Sequence, residues 1–158
     1  MNDKIRVLLS EEEVAKRIKE MGDVISSDYE GRPLHLICIL KGGVFFTCEL
    51  AKRISLPLTL DFMSVSSYGA GTVSSGIVKI VKDLDEPIEG KDVLIVEDII
   101  DSGNTLSYLI EVLKQRNPKS IELCTLLDKP ERRVKKQVTV KYTCFTVPDQ
   151  FIVGYGLD

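Results

Sequence analysis

Short apolar runs alternate along this chain with segments whose apolar residues recur every three or four positions. Ser10-Glu11-Glu12-Glu13 reads as a capping box, and Val14, Ile18, Met21 and Ile25 behind it make one helical face that ends near Ser27. Tyr29-Glu30-Gly31-Arg32-Pro33 is a turn. Residues 34–40 read as a buried strand, broken by Lys41-Gly42-Gly43, and residues 44–54 suit a helix. A second strand covers 58–65; the Gly- and Ser-rich stretch 66–75 that follows, with few apolar anchors, predicts a mobile loop. Strands follow at 77–81 and 92–96, with a turn at 87–91 between them, and then a helix over about 105–116 that Asn117-Pro118-Lys119 stops. Three further strands are predicted at 121–127, 138–145 and 151–155. Strands alternating with helices predict an α/β fold: a mostly parallel, twisted sheet with helices on both faces. No internal repeat or linker interrupts the 158 residues, which are read as one domain, 1–158.

Composition narrows the classes. A hydrophobic content of 44% with 28% charged residues is that of a soluble globular protein, and a net charge of −3 argues against a nucleic-acid partner. No apolar stretch is long enough for a membrane span or a secretory leader. Cys38, Cys48, Cys124 and Cys144 form no Cys-x-x-Cys pair and read as reduced thiols in or near the core, which places the protein in the cytoplasm. His35 is the single histidine, so histidine zinc sites and Ser-His-Asp triads are excluded. Neither a P-loop nor a Gly-x-Gly-x-x-Gly fingerprint is present.

The chemistry concentrates in Val93-Leu94-Ile95-Val96-Glu97-Asp98-Ile99-Ile100-Asp101-Ser102-Gly103-Asn104-Thr105-Leu106. A buried strand ends in two acids, a third acid follows, and a loop of small and hydroxyl residues opens a helix. Open α/β sheets place ligands at the carboxyl ends of their strands. Strand alternation sends Glu97 and Asp98 to opposite sides, so the two acids are not expected to be equivalent ligands of one metal. A solvated acidic turn is the plain alternative. Backbone amides from Ser102 to Thr105 with two hydroxyls suit a phosphate monoester; alternatively Thr105 or Asp101 is a helix N-cap and Gly103 a turn glycine. Asp101 is an awkward neighbour for a dianion, which suggests a separate role such as accepting a proton. Lys41-Gly42-Gly43 is either a strand-to-helix turn or a second anion site. Lys129, just past a strand end, can donate to a carbonyl oxygen, although its basic run also reads as a solvated face. Phe151, taken alone, reads as core.

The stretch 93–106 closely resembles the 5-phosphoribosyl 1-diphosphate (PRPP) signature of type I phosphoribosyltransferases. Leu40-Lys41-Gly42-Gly43, Ser67-Tyr68, Leu127-Asp128-Lys129-Pro130-Glu131-Arg132 and the run from Asp149 to Asp158 are similar to the bacterial hypoxanthine-guanine branch of that family, so the resemblance runs from about Ser10 to the last residue. It implies the family's core sheet with a small hood, or base-binding subdomain, built from the chain ends. It implies transfer of phosphoribose from PRPP to N9 of hypoxanthine or guanine, with pyrophosphate released and Mg2+ as cofactor, in a homodimer or homotetramer. Glu97 and Asp98 would engage the ribose hydroxyls and, directly or through water, a magnesium ion. Asp101 would act as general acid/base near purine N7, and Ser102, Gly103, Asn104 and Thr105 would hold the 5-phosphate. A cis Leu40–Lys41 peptide would turn the Lys41 and Gly42 amides toward pyrophosphate. Lys129 would donate to the 6-oxo group, Phe151 would stack on the base, the Ile152 backbone would read its edge, and Asp158 would lie near a second magnesium. Ser67 and Tyr68 would belong to a loop that closes over the reaction.

Two departures stand out: Asn104 occupies a position where some relatives carry Lys, and the family's chain continues past the position of Asp158 with a tail that includes an arginine near the pyrophosphate. Two other classes compete. One is a nucleotide-sensing, RNA-binding regulator on the same fold, which would need a basic surface. The other is an aspartate-dependent phosphohydrolase, which would phosphorylate Asp98 or Asp101 and leave the Ser-Gly-Asn-Thr loop without a role.

Overall fold

The computed structural model describes residues 9–68, 77–133 and 138–148. The capping box forms as read: Ser10 Oγ accepts from the Glu13 amide at 3.0 Å, and Glu13 Oε1 accepts from the Ser10 amide at 3.1 Å. It starts helix α1 (Glu11–Asp28), whose first turn carries three acids where the helix dipole favours them. There follow β1 (Leu34–Ile39), α2 (Val44–Ala51), β2 (Leu58–Tyr68), β3 (Ile77–Lys82), β4 (Asp92–Ile100), α3 (Asn104–Lys114), β5 (Ser120–Asp128), a 3-10 turn (Pro130–Arg132) and β6 (Tyr142–Thr146).

The strands form one sheet in the order β3-β2-β1-β4-β5-β6. All neighbours run parallel except β2 and β3, which pair antiparallel. The central parallel strands carry continuous apolar runs, Leu36 to Ile39 in β1 and Val93 to Val96 in β4, because both faces of the sheet are covered there. Leu94 and Val96 of β4 pack with Ile18, Met21 and Ile25 of α1 and Phe46 and Leu50 of α2. Val93 and Ile95 pack with Leu106, Leu109 and Leu113 of α3 on the other face. The edge strand β6 is tied to α1 by Arg17, whose Nε donates to the Cys144 carbonyl at 2.8 Å and Nη2 to the Thr143 carbonyl at 3.0 Å.

The elements depart from the predicted ones at several points, among them β4, which runs on past Val96 to Ile100. Strand β2 does not stop at Val65: from Ser64 to Tyr68 it pairs with β3, so Ser66, Ser67 and Tyr68 belong to a strand rather than to the predicted loop, the rest of which lies outside the described residues. Helix α2 ends at Ala51, before Ile54. The predicted strand from Val138 begins only at Tyr142, because the buried Val138 side chain packs beside Gly103 and the α3-side core instead of extending the ladder. Cys48 is exposed on α2, while Cys38, Cys124 and Cys144 are buried, and all four are free thiols. Burial pushes the Cys144 thiol up to about 12. The predicted strand at 151–155 lies outside the described residues.

His35 is the second residue of β1, at the opposite end of that strand from the Leu40–Gly43 loop. It is 3% exposed, with Nδ1 2.6 Å from Thr59 Oγ1 and Nε2 unpartnered among the described residues. Burial, and after it the charge of Lys91, lowers its pKa from 6.5. The unfolded chain therefore takes up a proton that the folded chain resists, and stability is lost as pH falls below the unfolded value. Between about pH 7.5 and about pH 5.5 the urea midpoint of the wild type is expected to fall further than that of His35→Asn, and an equal fall would refute the assignment.

Candidate active site

The connections after the neighbouring strands β1 and β4 leave the sheet in opposite directions. The chain after β1 runs through α2 to β2 on one side, and the chain after β4 runs through α3 to β5 on the other. The strand order reverses between these neighbours, which opens a crevice at their carboxyl ends. The two loops that meet there are Leu40–Gly43 and Asp101–Asn104, and Lys129 follows β5 at the same edge.

The first loop is packed on the second strand's acids. The Leu40–Lys41 peptide is cis, as the family resemblance implies. Gly43 is buried and its carbonyl accepts from Thr47 Oγ1 at 2.7 Å, which anchors the loop to α2. A Cβ added at Gly42 would lie 2.9 Å from Asp98 Cγ, so only glycine fits against that carboxylate.

The acids do not obey simple alternation. Val96 and Ile99 pack on the α2 face while Ile95 and Ile100 pack on the α3 face, so the alternation slips by one residue between Val96 and Ile99. Pairing with β1 has ended at Val96. Glu97 and Asp98, predicted to point to opposite sides, consequently lie close enough for each carboxyl to act on the titration of the other. Burial pushes the Glu97 carboxyl well above its usual range, and the Asp98 charge pushes it further. Burial also raises Asp98, against the stabilising hydrogen bonds of its own and the Ile99 amide, the latter at 2.7 Å.

Helix α3 starts without a side-chain cap. Its N-cap is Gly103 at φ 83°, a left-handed conformation that glycine adopts without strain, so neither Asp101 nor Thr105 has the capping role considered for it. Uncapped amides of the first turn face an anion favourably. The Asn104 amide reaches Ser102 Oγ at 3.3 Å. Asp101 is half exposed, and its Oδ1 lies 3.8 Å from Nζ of Lys129, which is buried.

The sequence reading missed two residues here. Arg133 pairs with the Asp128 carboxylate and donates through Nε to the Asp101 carbonyl at 3.2 Å. A basic run after a strand reads as a solvated face, and only the fold of the 3-10 turn brings Arg133 back to Asp101. Of the remaining candidates, Ser67 and Tyr68 sit at the carboxyl end of β2, opposite Val78 and Ile77 of β3, on an arm that runs past the last β1 pair at Met63. Phe151, Ile152 and Asp158 lie outside the described residues. Among the described residues no group of three or more His, Cys, Asp or Glu could hold a metal, and no helix is long and apolar enough to cross a membrane.

Residues 7–158 match the family described as the phosphoribosyl transferase domain. The chain is 54% identical over 153 residues to the hypoxanthine-guanine phosphoribosyltransferase of Bacillus subtilis, covering 97% of this chain and 84% of that protein. It is 52% identical over 157 residues to the bifunctional protein TilS/HprT of Listeria monocytogenes, of which it spans only 24%. A crystal structure of a hypoxanthine phosphoribosyltransferase from Staphylococcus aureus is similar with a TM-score of 0.95 at 50% identity, covering 99% of this chain and 85% of that one.

The carboxyl pair bears directly on stability. A glutamate whose folded pKa is raised holds its proton more tightly when folded, so it opposes folding increasingly as pH rises above the ordinary value of 4.5. Glu97→Gln is expected to stabilise the fold by about 1 kcal/mol near neutral pH and by little below that value. Gly42→Ala is expected to destabilise by about 1–3 kcal/mol through overlap with Asp98. Urea midpoints measured across pH check both, and a destabilising Glu97→Gln would contradict the described environment.

Proposed function

The chain belongs to the phosphoribosyltransferase family, and on that premise we propose that it transfers phosphoribose from PRPP to N9 of hypoxanthine or guanine, giving IMP or GMP and pyrophosphate. The observation that carries this reading is the 3.8 Å approach of Lys129 Nζ to Asp101 Oδ1 at the mouth of the crevice. A buried cationic donor and a carboxylate stand side by side where a 6-oxopurine would present O6 to one and N7 to the other.

In the reaction the C1–O bond to pyrophosphate breaks and the C1–N9 bond forms, with positive charge developing on the ribose ring. Glu97 and Asp98, next to the ribose hydroxyls, favour that charge electrostatically. Asp101 takes up the proton the base must lose. The amides of Ser102 to Thr105 hold the 5-phosphate, and those of Lys41 and Gly42 face the pyrophosphate. With Asn104 in place of the lysine of some relatives, amides supply most of that phosphate binding. The arm ending in Ser67 and Tyr68 stands beside the same edge and serves a closing loop that excludes water.

Magnesium fits the acids. Two neighbouring carboxyls whose proton affinity is raised by burial are a hard-oxygen donor set. Magnesium is commonly held by one or two carboxylates with the remaining ligands from phosphates and water, so a three-residue cluster is not required. Glu97 and Asp98 would hold it, with Asp158 near a second ion; when bound, it neutralises charge on the pyrophosphate.

Base choice follows from Lys129. A cationic donor suits a 6-oxo acceptor and opposes the 6-amino group of adenine, since both would present hydrogens. No observation favours the RNA-binding regulator. The phosphohydrolase reading leaves the 102–105 loop without a role, and of its two candidate carboxylates Asp98 accepts from the Ile99 amide while Asp101 faces Lys129.

Assays with PRPP and Mg2+ are expected to show turnover of hypoxanthine and guanine, with adenine slower by a factor of about 10² or more. Adenine used as well as hypoxanthine would refute the assignment of Lys129. Asp101→Asn is expected to lower kcat by about 10²–10⁴; unchanged turnover would remove Asp101 from the acid/base role.

A further inference from the structure

Arg133 does more than close a surface ion pair. Its side chain and that of Asp128 are each only 15% exposed, and the two form a direct pair between the end of β5 and the segment after the 3-10 turn. Asp128 is itself fixed, because its carbonyl accepts from the Val147 amide at 2.9 Å just past β6. Held from this side, the guanidinium turns its Nε to the Asp101 carbonyl at 3.2 Å. The stem of the same side chain covers the loop: a Cβ at Gly103 would lie 3.1 Å from Arg133 Cδ and 3.3 Å from Val138 Cγ2.

A trans peptide is planar, and its N–H points opposite to its C=O. Fixing the Asp101 carbonyl toward Arg133 therefore fixes the Ser102 N–H in the opposite direction. We infer that Arg133 is the positioning residue of the phosphate cradle: it orients the first cradle amide through the Asp101 carbonyl and shapes the Gly103 turn, without itself touching the phosphate. The Asp128 carboxylate neutralises the guanidinium, so its contribution is one of geometry and not of charge. This rests on the reading of residues 102–105 as the 5-phosphate site given above.

The test compares GMP with guanosine, which differ only in the phosphate, by calorimetric titration of the full chain. The wild type is expected to bind GMP more tightly. Arg133→Met is expected to weaken GMP about tenfold, the worth of one hydrogen bond, while guanosine stays within about twofold. Arg133→Lys reaches the carbonyl or Asp128 but not both, and is expected to fall between; it carries the same comparison if Arg133→Met does not fold. Wild-type GMP affinity in the variants, or a parallel loss for GMP and guanosine, would overturn the inference, the latter leaving Arg133 a structural role alone. A wild type that binds GMP no better than guanosine would overturn the phosphate-site reading itself, and this inference with it.

Discussion

The pairing of β4 between β1 and β5 is the constraint on which the site depends. Parallel ladders on both sides hold the strand, and apolar residues on both faces seal it between α1 and α2 on one side and α3 on the other. Because the chain leaves β1 and β4 toward opposite edges of the sheet, their loops cannot cover the ends of the strands they follow. The glycine turn after β1 and the Gly103 turn after β4 thus face the same opening, and Gly42 closes to contact with Asp98 across it.

Within that frame the strand does two incompatible things. Up to Val96 its side chains alternate regularly between two buried faces; just beyond, the alternation breaks while the register with β5 is kept, and two acids meet in a partly buried corner. Placing two carboxyls together out of water opposes folding. The arrangement is reasonable only if a cation or a developing positive charge relieves it, so the local instability and the proposed chemistry have one cause. The opposing loop is treated differently. Asp101 stays half exposed beside Lys129, while Arg133 and Asp128 secure its backbone from behind.

Much of this was legible in the chain because local chemistry and global fold agree. Ser10 and Glu13 announce α1, the apolar runs announce the parallel strands, and the acids followed by Ser-Gly-Asn-Thr announce the ligand edge. What was not legible depends on distant partners. Ser66 to Tyr68 read as loop because nothing in their composition reveals β3 pairing alongside. Val138 read as strand because an apolar residue does not disclose whether it joins a ladder or packs on Gly103. Glu97 and Asp98 were separated by a period-two rule that a one-residue slip cancels. Arg133 was hidden in a basic run, and its role exists only because a 3-10 turn folds it back onto Asp101.

We propose the end of β4 and the loop after it as a nucleotide site, with the phosphate at the Gly103 turn and the purine at Lys129. A crystal structure of the chain with GMP tests this most directly. The 5′-phosphate is expected within hydrogen-bonding distance of the amides of residues 102–105, the ribose hydroxyls at Glu97 and Asp98, and purine O6 at Lys129 Nζ. A phosphate bound elsewhere, or a purine turned away from Lys129, would contradict it.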